Sequence, residues 1–373
     1  MATASAKLAA GVVIALLALV GPAACQKHGG DHRHNNHGGG GGRGPHHHLI
    51  CMNGWLRLLL PANACPPGTS HKAPPARPAP YAPQLKVGYY GKSCPNAEAV
   101  VRDVVRKATS GNPGVGAGLI RLYFHDCFVQ GCDASVLLRS MPGSTELTEM
   151  FGAPNNNSLR PSAFKLVDDA KAALEAACPG KVSCADIVAF AARDASASLS
   201  NGAIKFDMPS GRFDGRVSRK SEAESDLPGP SENLQQLTAS FAAKGLDAGD
   251  LVTLSGAHTI GKARCLFFTD RLSEMEPSFA AGLNRTCTSD DTRVNEDYKT
   301  PDVLDKQYYQ NIIDKKVLFT SDDTLKTTPL VGKFASGEES WEKAFAKAMV
   351  KMGSIGIKNS ANGEIRKTCS SVN

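Results

Sequence analysis

Eight cysteines lie between Cys94 and Cys369, and that even number limits how the chain can fold more than any other feature does. It suits four disulfides wherever the compartment is oxidising. The same stretch reads as helix. Val100, Val101, Val104 and Val105 recur at helical spacing, and the runs 162–177, 232–243 and 341–352 are amphipathic. Residues 185–197 are small and apolar over most of their surface, as a buried helix requires. Pro179-Gly180, Pro228-Gly229-Pro230 and Gly282 punctuate these runs, while strand-like alternation is sparse and no internal repeat occurs. A mainly α domain is the expectation.

The N-terminus supplies the compartment. Lys7 precedes an apolar run from Leu8 to Val20, and Gly21-Pro22-Ala23-Ala24 offers small residues for cleavage. Residues 1–24 therefore read as a secretory signal peptide, too short to anchor in a bilayer. Residues 25–83 read as disordered, Gly- and His-rich to 48 and Pro/Ala-rich from 61. This tail is a solvated spacer or a site for Zn, Cu or Ni on its imidazoles. The globular domain is expected over 84–373. The formal charge of +6 belongs to the tail: residues 1–90 hold eight Lys and Arg against Asp31, leaving 34 basic against 35 acidic residues beyond. Without a basic stripe in the domain, nucleic acid is not expected as a partner.

Only two of the ten histidines, His125 and His258, lie beyond His71. His125 follows Arg121 by four residues, which on a helix puts both on one face. A fixed cation beside an imidazole keeps it neutral, as a general base must be. His258 sits in Leu254-Ser255-Gly256-Ala257-His258-Thr259, where small residues would leave room for a bulky planar group. One histidine as metal ligand and another beside an arginine is the arrangement expected for haem-based peroxide chemistry. Asp126, Val129, Gly131, Asp133 and Ser135 then fall at relative positions 0, 3, 5, 7 and 9. Two carboxylates, two potential carbonyls and a hydroxyl suit a hard cation such as Ca²⁺.

These segments resemble the secreted plant peroxidases, class III of the haem peroxidase superfamily. RLYFHDCFVQGCDAS is similar to the family's distal signature and LVTLSGAHTIGKARC to its proximal one. SCP at 93–95, CPGKVSCADI at 178–187 and GEIRKTC at 363–369 also match, so the resemblance covers the chain from about Gln84 to Asn373. It implies a two-lobed, mainly α fold with very little β and one haem b held between distal and proximal lobes.

The resemblance also implies residue roles. His125 is the distal acid/base, Arg121 stabilises charge on the departing oxygen, Asn155 holds the tautomer of His125, and Phe124 lies at the haem. His258 is the axial iron ligand and Asp322 its second partner, although Ser321-Asp322 alone would read as a helix cap. Two Ca²⁺ per chain are implied, the first on Asp126, Val129, Gly131, Asp133, Ser135 and Glu149. The second takes Thr259, Asp297, Thr300, Val303 and Asp305. The implied disulfides are Cys94–Cys178, Cys127–Cys132, Cys184–Cys369 and Cys265–Cys287. Pro228 and Phe267 would meet aromatic donors, and Asn156 and Asn284 head sequons for N-glycosylation.

Departures from the family pattern are the long segment before Gln84, Phe206 and Gly211-Arg212-Phe213-Asp214, and a short stretch over 266–286. The expectation is a secreted, monomeric, extracellular haem peroxidase. It would reduce H₂O₂ and oxidise small phenolic donors in wall cross-linking, lignin-type polymerisation or peroxide removal, without stable membrane insertion. The alternative is a non-enzymatic wall or metal-binding protein that uses the domain as a scaffold.

Overall fold

The computed structural model describes residues 85–155 and 158–373. The expected leader, the segment 25–83 and the sequon asparagine Asn156 lie outside the described residues.

Helices dominate, as the periodicity implies. The first group is α1 (Ala97–Gly111), α2 (Pro113–Phe128), α3 (Pro161–Ala177) and α4 (Cys184–Leu199). Pro113 opens α2 at a position where its missing N–H costs nothing, and Asn112 accepts from Gly114 N. Ser183 caps α4 by accepting from Asp186 N, a bond worth about 1 kcal/mol. The small side chains of α4 let α1, α2 and α3 all pack on it. Ala185, Ile187, Val188, Ala189 and Phe190 are each at most 1% exposed.

After α5 (Lys220–Asp226) comes a second group: α6 (Leu234–Ala243), α7 (Ala248–Ser255), α8 (Pro277–Thr286), α9 (Gln307–Ile313), α10 (Thr320–Asp323), α11 (Pro329–Ser336) and α12 (Trp341–Met352). Here α7 packs on α6, α11 and α12, and α9 on α11. Strand content among the described residues is small. β1 (Lys262–Arg264) pairs antiparallel with β2 (Arg293–Asn295), Lys262 opposite Asn295.

Four disulfides join Cys94 to Cys178, Cys127 to Cys132, Cys184 to Cys369 and Cys265 to Cys287, the same pairs that the resemblance implies. The Gly211–Asp214 segment is tied into the interior by buried charges. Arg212 and Asp186 form a fully buried pair at 2.7 Å, and Asp214 accepts from Ala185 N and Arg366 N, both at 2.9 Å. Removing one partner of such a pair costs about 3–5 kcal/mol.

Candidate active site

Helix α2 carries Arg121 and His125 one turn apart. His125 is 1% exposed. Its Nδ1 hydrogen-bonds Asn155 Oδ1. Asn155 in turn donates from Nδ2 to the carbonyl of Glu149 at 2.9 Å. That second bond fixes the amide's orientation, so the carbonyl end faces the imidazole and Nδ1 carries the proton. Nε2 is then an unprotonated lone pair, buried without a partner. Burial, and next the Arg121 charge, hold His125 well below its ordinary 6.5, against the pull of Asn155. Burial also lowers Arg121, with Glu296 opposing. Phe124 stands edge-on to the His125 ring, with centroids 5.3 Å apart.

His258 lies in the 3-10 turn Gly256–Thr259 that prolongs α7. Of the small residues before it, Gly256 has a packing role of its own. A Cβ on Gly256 would come within 2.5 Å of Trp341 Nε1 and 2.6 Å of Tyr309 Oη. Gly256 therefore lets the turn seat on α12 and α9. His258 Nδ1 donates to Asp322 Oδ1 at 2.8 Å, and Tyr308 Oη donates to the same oxygen at 2.8 Å. Asp322 Oδ2 accepts from Phe319 N at 3.4 Å; Phe319 is the N-cap of α10 and Asp322 lies inside the helix, so Asp322 is the histidine's partner and reaches back to the cap without being the cap itself. Burial pulls His258 down, but the carboxylates of Glu296 and Asp322 outweigh it and raise it from 6.5 to about 9. Arg121 also acts on His258 through its charge, which puts the two histidine environments in one electrostatic field.

The residues expected around the first cation converge. Asp126, Asp133, Ser135 and Glu149 are each at most 1% exposed. Asp126 Oδ1, Asp133 Oδ2, Ser135 Oγ and both Glu149 carboxylate oxygens are buried without a hydrogen-bond partner. Burial pushes Asp126 and Glu149 well above the ordinary carboxylate range, and the charge of Asp133 adds to it in both. Gly131, at φ +101°, meets Gly356 back to back: a Cβ on it would lie 2.6 Å from the Gly356 Cα. Two lysines approach the same loop. Lys358 Nζ lies 3.3 Å from Asp133 Oδ2 and donates to Gln130 O, while Lys244 Nζ donates to Val129 O at 3.3 Å.

The second set also comes together. Thr259 Oγ1 lies 3.0 Å from Asp297 Oδ2, 3.2 Å from Asp305 Oδ1 and 3.5 Å from Val303 O. Thr300 Oγ1 reaches the same two carboxylates at 3.2 Å. Each hydroxyl has one proton for several acceptors, so the set is richer in oxygen than in donors. Among the described residues no three His, Cys, Asp or Glu side chains form a metal cage by themselves. A cation at either place would draw on carbonyls and hydroxyls, as Ca²⁺ does.

Pro228 is half-buried, in a loop joined to α10 through Ser321 N donating to Pro230 O at 3.0 Å. Phe267 is 43% exposed beside Leu266 at 50%. Asn284 is exposed on α8. A cavity of about 470 Å³ opens beside Asn155, lined also by Arg139, Met150, Phe151 and Phe164, and neither histidine lines it. Reasoning from sequence missed Glu296, Tyr308 and Lys358. Only the run Asn295-Glu296-Asp297 hinted at the first, and a solvated acidic loop explains that run as well.

Comparison with known proteins places the chain in a family. The peroxidase family model matches residues 101–337. "Peroxidase 2" of Zea mays is 50% identical over 329 residues, covering 85% of this chain and 94% of its own length. "Peroxidase 5" of Vitis vinifera and the "Lignin-forming anionic peroxidase" of Nicotiana sylvestris are each 44% identical, covering 78% of this chain and 92% of their own lengths. A helical domain with two such histidines, matched along most of its length by these relatives, belongs to the peroxidase family, in its class III plant branch.

Proposed function

We propose that this peroxidase works on a haem b between His125 and His258, reducing H₂O₂ to water while small phenolic donors each lose one electron. The observation that carries the reading is the pair of histidines in opposite settings, one with an open, unprotonated Nε2 and one tied to carboxylates. Their residues fit a haem. Arg121 is half-buried and makes no hydrogen bond or ion pair among the described residues. When bound, haem supplies the redox centre at which the peroxide bond is reduced and from which donors are oxidised.

The protein's own steps follow from the geometry. His125 Nε2 takes the proton from one oxygen of H₂O₂ and returns it to the other, which leaves as water. Arg121 stabilises the negative charge that grows on the leaving oxygen. Asn155 keeps Nδ1 protonated so that Nε2 stays free. His258 would ligate the iron through its other nitrogen, with Asp322 drawing on the Nδ1 proton and making the ring a stronger donor. Two phenols then supply two electrons and two protons, giving two phenoxyl radicals and, in all, two waters.

Two Ca²⁺ complete the reading. The first would neutralise Asp126, Asp133 and Glu149, of which only Asp133 has an ammonium in reach, that of Lys358 at 3.3 Å. The second would share Thr259, Asp297, Thr300, Val303 and Asp305. Glu149 links cation to base, because its carbonyl orients Asn155. Donors would dock at Pro228, with Phe267 at the rim. The disulfides and the expected leader support a secreted, extracellular protein; in this reading it is a monomer that carries glycans at Asn284 and Asn156 and acts in wall cross-linking or peroxide removal. No helix among the described residues is long and apolar enough to cross a membrane. The scaffold alternative gains no support from the peroxidase relatives.

The test is the absorption spectrum of the protein folded oxidatively with haem and Ca²⁺. The haem band should shift on adding H₂O₂ and return on adding a phenol. A protein that takes up no haem, or takes it up without reacting, would sink the reading.

A further inference from the structure

Asp322 is not the only carboxylate beside the iron-side histidine. Glu296 Oε2 lies 3.8 Å from His258 Nδ1, on a side chain that is 11% exposed. The same oxygen is buried and has no hydrogen-bond partner. It does not share the imidazole proton, which goes to Asp322 at 2.8 Å.

The fold holds Glu296 in place. The β1–β2 ladder ends with Lys262 opposite Asn295, and Glu296 N donates to Gly261 O at 3.1 Å. Gly261 takes φ +101° just after the turn that bears His258, so the ladder delivers Glu296 to that turn. The Cys265–Cys287 disulfide and the bond from Cys265 N to Thr292 O brace the far end. On the other side Asp297 is 0% exposed and accepts from Lys299 N and Thr300 N. Backbone bonds thus fix Glu296 from both directions, unlike a carboxylate on a solvated loop.

A buried carboxylate without a donor is costly unless positive charge stands near it. Burial raises Glu296, and Asp322 adds to that. With His258 a neutral ligand, the positive charge acting on Glu296 is that of Arg121, on the helix that bears His125. Through the low-dielectric interior a charge at this distance acts strongly without any hydrogen bond.

We propose that Glu296 is a second anion on the iron side, whose field acts through His258 to lower the reduction potential of a haem iron carried there. It is a positioning residue, acting through another group. Its effect is to favour the oxidised iron, in the same direction as Asp322 but by charge and not by a shared proton. The proposal rests on the haem reading above.

The experiment is spectroelectrochemistry on the full chain loaded with haem, comparing wild type, Glu296→Gln, Glu296→Asp and Asp322→Asn. Glu296→Gln keeps the shape and removes the charge, so its midpoint should move to more positive potential, by less than that of Asp322→Asn. Glu296→Asp keeps a carboxylate and should stay nearer to wild type. A purely structural role would change the melting temperature and leave the midpoint alone. A Glu296→Gln midpoint equal to that of wild type overturns the proposal while leaving the haem reading intact. Should Glu296→Gln not fold, Glu296→Leu supplies the neutral variant with the same two outcomes. A wild-type chain that shows no haem band overturns the haem reading and this proposal with it.

Discussion

The two halves of the site use the same side chain in opposite ways. His125 is held by a neutral amide, beside a guanidinium on its own helix face, and is kept well below its ordinary range. His258 stands between two carboxylates and is raised to about 9. The first arrangement keeps a lone pair ready to take a proton, and the second makes a ring rich in electrons. The oxygen sets proposed to hold cations differ in the same spirit. On the distal side buried oxygens are left without donors, whereas on the proximal side Thr259 and Thr300 share their hydroxyl protons among the carboxylates. The chemistry of an imidazole is decided by what its second nitrogen touches.

The strongest way to break this comparison is to delete each histidine. His258→Ala should abolish stable haem uptake, measured as the absorbance ratio of haem band to protein. His125→Ala should keep the haem yet slow the reaction with H₂O₂ by roughly 10²–10⁴-fold in stopped flow. If both variants lose haem equally, the division of roles is wrong.

A smaller effect is expected from exchanging the partners. Asn155→Asp gives the distal histidine a proximal-type partner, and the peroxide step should slow by roughly 10–100-fold, the scale of losing an orienting group. An unchanged rate would mean that the amide does not hold the tautomer.

Calcium removal sharpens the contrast between the two cation sets. Chelation should destabilise the distal side by about 3–5 kcal/mol, the scale of buried charge left unpaired. Hydrogen exchange should rise first around Asp126–Ser135 and only later around Thr259 and Asp305. Equal loss in both places would show that the proximal hydroxyls give no relief.

The smallest expected effect serves as a control remote from both histidines. Glu276 caps α8 by accepting from Ser278 Oγ at 2.7 Å, Ser278 N at 3.0 Å and Phe279 N at 2.8 Å. The Ser278 hydroxyl and these amides lower it from 4.5 to about 2. A lowered carboxylate stabilises the fold fully above the unfolded value and loses that contribution as pH falls through the folded one. Amide protection at Ser278 and Phe279 should therefore hold above about pH 4.5 and decline toward about pH 2, with the haem band unaffected by Glu276→Gln at neutral pH.

Much of this could be read from the residues in order. Helical periodicity marks α3, α4, α6 and α12 to within a few residues and the middle of α1, because each buries a stripe against its neighbours. Arg121 and His125 declare their shared face through spacing alone. The disulfide pairs and the cation ligands came from resemblance, since no local pattern says which cysteine meets which. Glu296 stayed hidden for a physical reason. It is 38 residues from His258, and the three-residue strands that join them are too short to show alternation. Tyr308 was hidden too, because its hydroxyl bond to Asp322 depends on how α9 meets α10. The burial of the Arg212–Asp186 pair is likewise legible only in three dimensions, where each charge has found its partner.

The distal loop also carries a lesson about the order of assembly. Arg366 Nη2 donates to the carbonyls of Asp133 at 3.2 Å and Ala134 at 2.9 Å, across sequence separations of 233 and 232 residues. Ser370 O accepts from Arg139 N at 3.1 Å, and Cys369 is linked to Cys184. During synthesis at roughly 5–20 residues per second, the loop must wait more than ten seconds for the residues that seal it. Until then its carboxylates stay in water, free to repel one another and to exchange ions. The nascent chain thus gathers its acidic pocket early and can close it only after translation has carried residue 366 past the ribosome.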